Sequence, residues 1–233
     1  IEAGLEKLYS QNVSKIVVLT LFPQYASATV GSVHEEVMRI VMKKQIIPNI
    51  SFINSYPDYK PVIDVFVKNA LQFDLNKYDH FIFSFHGLPV RQLFKADHNN
   101  VCKKDASCCD TCTSANQFCY KAQCFRTARA IAQGLKLDSN KYTICFQSRL
   151  GREEWITPYT STVLKDRAAA GDKHLLVFSP SFVADCLETL VEIADEYQEE
   201  FIHLGGKSLD LVPSLNDDDI WISGLAALIN NNH

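Results

Sequence analysis

The chain has 233 residues, is 47% hydrophobic and 21% charged, and carries a formal net charge of −4. That length buries a sizeable core, the acidic balance argues against a nucleic-acid partner, and no uninterrupted apolar run reaches the length that spans a bilayer. The opening "IEAGLEKLYSQNVSK" lacks the basic end and apolar stretch of a signal peptide. It reads as the end of an amphipathic helix with Ile1, Leu5 and Leu8 on one face, so the chain is taken as cytoplasmic and as starting in mid-fold.

Strand-like runs then alternate with helical ones. "KIVVLTL" (15–21), "ISFIN" (50–54), "HFIFSF" (80–85), "YTICF" (142–146), "HLLVF" (174–178) and "FIHL" (201–204) are predicted strands. They are too apolar to leave one face in water, which predicts a parallel sheet covered on both sides. Residues 28–44, 61–72, 115–134, 153–170 and 183–199 carry helical i, i+3, i+4 apolar spacing. A last helix, about 217–230, follows "SLNDDD", whose Asn and Asp favour a helix start. Strand alternating with helix predicts an α/β, Rossmann-like, doubly wound fold.

In such sheets ligands sit beyond the carboxyl ends of the strands. His86 follows "FIFSF" directly, so a rigid strand aims it at that face, where an imidazole can accept a proton near neutral pH or bind a metal. A loop-bonding histidine is the competing reading. Asp185, Glu188 and Glu192 have spacings that place them on one stripe of the helix after "HLLVF". Phe182, Leu187, Leu190 and Ile193 are expected to face the core. Three carboxylates in a row repel one another and favour a cation or shared protons; a solvated acidic face is the alternative. No Gly-x-Gly-x-x-Gly, Walker loop or Gly-x-Ser-x-Gly elbow is present, which removes support for nucleotide binding and serine hydrolysis.

"FPQYASATVGS", "FSFHGLPV", "CFQSRLGREEW", "SPSFVADCLETLVE" and "VPSLND" occur in this order. Together they resemble the ferrochelatases, which insert ferrous iron into a porphyrin, and the resemblance runs from about residue 15 to the C-terminus. It implies that His86 takes protons from the pyrrole nitrogens and that Glu188 faces it across the cleft. Asp185 and Glu192 are implied as a metal path or proton shuttle, and Phe22, Gln24, Tyr25 and Trp155 as the porphyrin cleft. The implied substrates are protoporphyrin IX and Fe²⁺. A related chelatase for coproporphyrin or cobalt, and an inactive iron–sulfur sensor on the same scaffold, are the alternatives. A peripheral membrane contact is compatible with so apolar a substrate, and the oligomeric state is left open.

The family fold has two α/β lobes. On that basis residues 1–14 are a remnant of a truncated N-terminal lobe, 15–214 the lobe with the catalytic residues, and 215–233 a C-terminal helix. A cysteine-rich insertion covers 98–121.

Six of the eight cysteines fall in Cys102-x5-Cys108-Cys109-x2-Cys112-x6-Cys119-x4-Cys124. In a reducing compartment such clustering points to metal rather than disulfides. Some family members hold a [2Fe–2S] cluster with one cysteine in the first-strand loop and three in a C-terminal tail. Here Ser27 and Ala28 stand in that loop, and no cysteine follows Cys186. The chain resembles instead the branch with an internal cluster, for which Cys102, Cys109, Cys112 and Cys119 are the expected ligands and Cys108 the alternate. A four-cysteine Zn²⁺ site is the rival. Cys145 and Cys186, alone in apolar surroundings, are read as buried small hydrophobes, and Cys124 as core or helix surface.

Overall fold

The run "HFIFSFH" forms the central strand β3, His80–His86, with six of its seven residues buried. A strand apolar on both faces must be covered on both. In the computed structural model, which describes residues 1–103 and 106–231, β3 lies between β4 (Tyr142–Gln147) and β5 (His174–Phe178), and β5 carries β6 (Ser208–Leu211) outside it. All three ladders are parallel. The chain therefore winds outward from β3 to β4, crosses back to β5, and continues the other way to β6. The winding reverses between β3 and β5, and such a reversal opens a crevice at the carboxyl ends of the strands. His86 closes β3 at that crevice.

Alternation along the strand sorts the core into two layers. Phe81, Phe83 and Phe85 face a cluster with Val62, Phe66, Ile131 and Trp221, supplied by α3 (Lys60–Ala70), α5 (Tyr120–Gly134) and α9 (Asp219–Asn230). Ile82 faces the other way, toward Leu164, Ile193 and Phe201, under α6 (Thr160–Ala169) and α8 (Gln198–His203). Phe83 stacks on Phe178 across β3 and β5 at 4.7 Å between ring centres. A second, smaller parallel sheet pairs β1 (Lys15–Leu19) with β2 (Asn49–Ile53). With α1 (Glu2–Ser10) and α2 (Ser32–Val41) it has its own core of Leu5, Ile16, Val37, Ile40 and Val41. The parallel α/β fold is as expected, and residues 15–214 contain strands of both sheets.

Three predicted elements differ. "FIHL" is not a strand: Phe201–His203 end α8, and Gly205, at a φ of 98°, terminates that helix before β6 begins at Ser208. Gly-Gly directly after an apolar run was the stop signal. Residues 153–158 are not helical; they pair with the loop after β3, through a bridge between Pro89 and Trp155. The helix expected over 183–199 is broken into α7 (Leu187–Leu190), a wide π-type turn over Glu192–Tyr197, and α8. Residues 104–105 of the expected insertion and residues 232–233, included in the expected C-terminal helix, lie outside the described residues. Among the described residues no helix is long and apolar enough to cross a membrane.

Candidate active site

His86 is held from three directions. Its ring Nδ1 lies 2.7 Å from the carbonyl oxygen of Gly87, which can only accept, so Nδ1 carries the proton and Nε2 keeps its lone pair. Its backbone N–H donates to Ser181 Oγ at 3.3 Å, and its carbonyl accepts from the Tyr120 hydroxyl at 2.8 Å. Ser181 and Tyr120 are also 3.1 Å apart, so β3, the loop after β5 and α5 converge on this residue.

Aromatic rings flank the imidazole: Trp155 at 6.3 Å and Phe182 at 6.2 Å between ring centres. Trp155 is brought there by the pairing of 154–156 with 88–90, where Val90 N–H donates to Glu154 and Ile156 N–H to Leu88, both at 2.9 Å. The Trp155 indole N–H is buried without a partner among the described residues. Phe182 was expected in the core; it stands instead beside His86, because "SPSF" turns immediately after β5.

The acidic residues are divided rather than aligned. Asp185 precedes α7 and ties down the 214–216 loop, accepting from Asn216 Nδ2 at 2.7 Å and Ser214 N at 3.1 Å. Glu192 accepts from Ser148 N at 2.7 Å, Ser148 Oγ at 2.5 Å, Gln147 Nε2 at 3.0 Å and Tyr197 OH at 3.2 Å. Those bonds hold Ser148 at a φ of 63°, unusual for a residue with a side chain. Glu188 is the one near enough to His86 for the charge of the imidazole to act on it. Its carboxyl is held below the usual range by the Cys186 thiol first, then by its own backbone N–H, with a further contribution from the His86 charge. The regular stripe predicted for the three acids fails because Cys186 caps α7 after Asp185, and the wide turn resets the phase before Glu192 is reached. For the same reason Leu187 and Leu190 are 75% and 52% exposed rather than in the core, while Ile193 is fully buried.

Of the first-strand loop, Phe22 is exposed. Gln24 is only 2% exposed and donates to Thr127 Oγ1 at 2.9 Å, so it braces the loop from inside rather than lining a cleft. Tyr25 packs edge-on to Phe118 and lines a cavity of about 620 Å³ with Arg91 and Lys95, whose walls do not include His86 or Glu188.

The site is a strand-end imidazole with Nδ1 committed, two aromatic rings beside it and a carboxylate near enough to feel its charge. The family model described as Ferrochelatase matches residues 1–233. The chain belongs to the ferrochelatase family. It is 42% identical over 229 residues to a ferrochelatase of Ectopseudomonas mendocina and 43% identical over 230 residues to one of Pseudomonas fluorescens, covering 98% of this chain and 67% of each relative.

In this ferrochelatase-family chain the cysteine-rich segment lies beside the site. Cys119 caps α5; a hydrogen bond from the Cys109 thiol and the backbone N–H groups of Ala122 and Lys121 bring its thiol down to about 6. The same bond, with burial, drives Cys109 well up. Cys108 Sγ accepts from Lys103 N at 3.2 Å and lies 4.0 Å from Cys109 Sγ. Burial, with the charges of Cys108 and Cys119, pushes Cys102 up to about 11. Cys112, expected to form a clamp with Cys109, is exposed and lies 3.7 Å from Arg126 Nη1. The loop folds there around Asn116, which bonds the carbonyls of Cys108 and Thr111 at 2.7 and 2.9 Å and turns residues 111–113 outward. Among the described residues no three His, Cys, Asp or Glu side chains are placed to hold a single metal ion. Cys124 is fully buried in α5.

Proposed function

We propose that this protein inserts Fe²⁺ into protoporphyrin IX, with His86 as the base and Glu188 as the acid on the opposite wall. The observation that carries the reading is the commitment of His86 Nδ1 to Gly87, which leaves Nε2 as the ring's proton acceptor at the β3–β5 reversal. A free porphyrin carries two N–H protons in the hole the cation must enter. Two N–H bonds break, the iron–nitrogen bonds form, and two protons leave; no electron is transferred. A base on one wall and a carboxylate on the other keep the deprotonating group from trapping the cation. Trp155 and Phe182 offer apolar faces to a flat macrocycle, and binding to them can offset the cost of bending the ring toward its metallated shape. Exposed Leu187 and Leu190 add apolar surface on the helix that carries Glu188. Asp185 and Glu192 act in this reading by fixing the loops around Glu188.

The test is anoxic incubation with Fe²⁺ and protoporphyrin IX, read by the haem spectrum after extraction. Haem formation above the protein-free rate is expected. A protein that binds the porphyrin yet forms no haem overturns the proposal.

We infer further that the segment holds a [2Fe–2S] cluster, with Cys102, Cys108, Cys109 and Cys119 as ligands in place of a set containing Cys112. The support is chemical. Cys102, Cys108, Cys109 and Cys119 line one cavity, Cys119 is favoured as thiolate by the Cys109 thiol and then by helix N–H groups, and Cys108 accepts a backbone N–H, the kind of bond that stabilises cluster sulfur. Such a group supplies one-electron chemistry or a structural tie, neither of which metal insertion requires. A brown protein that Cys108→Ser bleaches and Cys112→Ser does not is the expected result. A colourless protein with stoichiometric zinc, or bleaching by Cys112→Ser instead, overturns the assignment.

A further inference from the structure

The two ladders of β3 do not end together. On one side β3 pairs with β4 as far as His86, opposite Gln147. On the other, pairing with β5 stops at Phe83, opposite Phe178, where β5 itself ends. Ser84, Phe85 and His86 therefore run past the β5 ladder. At the last of them two side-chain hydroxyls take the place of a strand. The His86 N–H donates to Ser181 Oγ at 3.3 Å, and the His86 carbonyl accepts from the Tyr120 hydroxyl at 2.8 Å. The two hydroxyl oxygens are 3.1 Å apart, and elementary chemistry fixes which one donates. A carbonyl can only accept, so the Tyr120 hydrogen is committed to it. Ser181 then supplies the hydrogen between the hydroxyls, while its own lone pair takes the His86 N–H. The three bonds close a ring that runs one way, from His86 to Ser181 to Tyr120 and back to His86. Both hydroxyl residues are buried, which keeps water from competing for the ring.

We propose that Tyr120 and Ser181 are positioning residues for metal insertion: their hydroxyls replace the missing strand and hold His86 in place at the crevice. This rests on the reading of His86 as the base. The peptide between His86 and Gly87 is pinned at both ends, its C=O by Tyr120 and its N–H by the Gln147 carbonyl at 2.9 Å. Gly87 continues from that plane, and the Gly87 carbonyl is what holds the imidazole Nδ1. With the Tyr120 end released, the plane can rock about the Gln147 bond, and the imidazole loses its fixed tautomer with it. Packing alone does not call for these hydroxyls, since phenylalanine fills the place of the Tyr120 ring in the core. Each hydroxyl is both donor and acceptor, so deleting either one breaks two of the three bonds. Ser181 also precedes Phe182, whose ring lies 6.2 Å from the imidazole, so the same ring of bonds sets the wall beside the base.

The experiment compares Tyr120→Phe, Ser181→Ala and the double variant with the parent chain. The ring nitrogen signals of His86, assigned through His86→Gln, are followed by nitrogen-15 NMR, and kcat is measured with separate KM values for Fe²⁺ and for porphyrin. In either single variant the two His86 nitrogen signals move toward each other, as exchange between tautomers requires. Alongside, kcat falls about tenfold, the scale of a lost hydrogen bond, and both KM values stay within about twofold of the parent. The double variant stays within about twofold of either single one, because the ring is already open, whereas independent contributions multiply to about a hundredfold. Tyr120→Phe removes one oxygen atom and carries the test alone where Ser181→Ala does not fold. Unmoved His86 signals in Tyr120→Phe, multiplied losses in the double variant, or a loss that falls on KM overturns the positioning role. If the parent chain forms no haem, the functional reading fails, and the His86 signals still decide whether the hydroxyls hold the imidazole.

Discussion

His86→Ala is expected to lower the rate of metal insertion by about 10² to 10⁴, the usual worth of a placed general base. The argument rests on which nitrogen is free. Nδ1 is committed to the carbonyl of Gly87 at 2.7 Å, so the lone pair of Nε2 is the only acceptor the ring offers. Nothing beside it duplicates that capacity. Trp155 and Phe182 supply no base, and Ser181 is engaged by Tyr120 and by the His86 backbone. The backbone contacts of His86 do not depend on its side chain, so the variant should fold and its aromatic wall should persist. Porphyrin binding, followed by quenching of tryptophan fluorescence, is therefore expected within about threefold of the parent. A rate unchanged by the substitution removes His86 as the base. Loss of binding and rate together would instead make the imidazole part of the wall.

The sequence made His86 visible because its signal is local. A strand with no polar face, ending in His-Gly-Leu-Pro, can point its last side chain only toward the carboxyl edge of the sheet. Trp155 was legible only through the family motif, since nothing near it says that residues 154–156 pair with 88–90 rather than forming the start of a helix. The acidic row misled for a physical reason. Periodicity assumes one continuous helix, whereas the box at Cys186 and the wide turn from Glu192 change the phase twice within twelve residues. Gln24 reads as a loop polar residue, yet it is buried by Thr127, more than one hundred positions away. In the same way Cys112 satisfies a Cys-x2-Cys spacing, but Asn116 holds the carbonyls of Cys108 and Thr111 and the Cys112 thiol ends up beside Arg126. Spacing reports proximity along the chain; these outcomes were decided by bonds made across it.

Gly87→Ala is expected to damage the site nearly as much as losing the base, although residue 87 touches no substrate in the proposed reaction. A Cβ placed there would stand 2.8 Å from the carbonyl oxygen of Gln147 and 3.0 Å from the Trp155 ring. The carbonyl cannot yield without loss elsewhere: it accepts the Gly87 N–H at 2.9 Å, and the side chain of the same Gln147 bonds Glu192. The ring is the softer neighbour, so Trp155 is displaced from beside His86, and the 154–156 segment that pairs with 88–90 shifts with it. Overpacking of this kind costs about 1–3 kcal/mol, to be read as a lower midpoint in urea. A misplacement near 1 Å at a reacting centre can cost about a hundredfold in rate. The loss should fall on kcat more than on metal affinity, because Trp155 yields before Gln147, whose side chain donates to the Glu188 carbonyl at 2.9 Å. Replacing Trp155 with the smaller phenylalanine in the Gly87→Ala background should recover part of the stability by making room for the added methyl. Parent-like stability and rate in Gly87→Ala alone would show that the loop after β3 accommodates the methyl, and that Trp155 does not fix the position of His86.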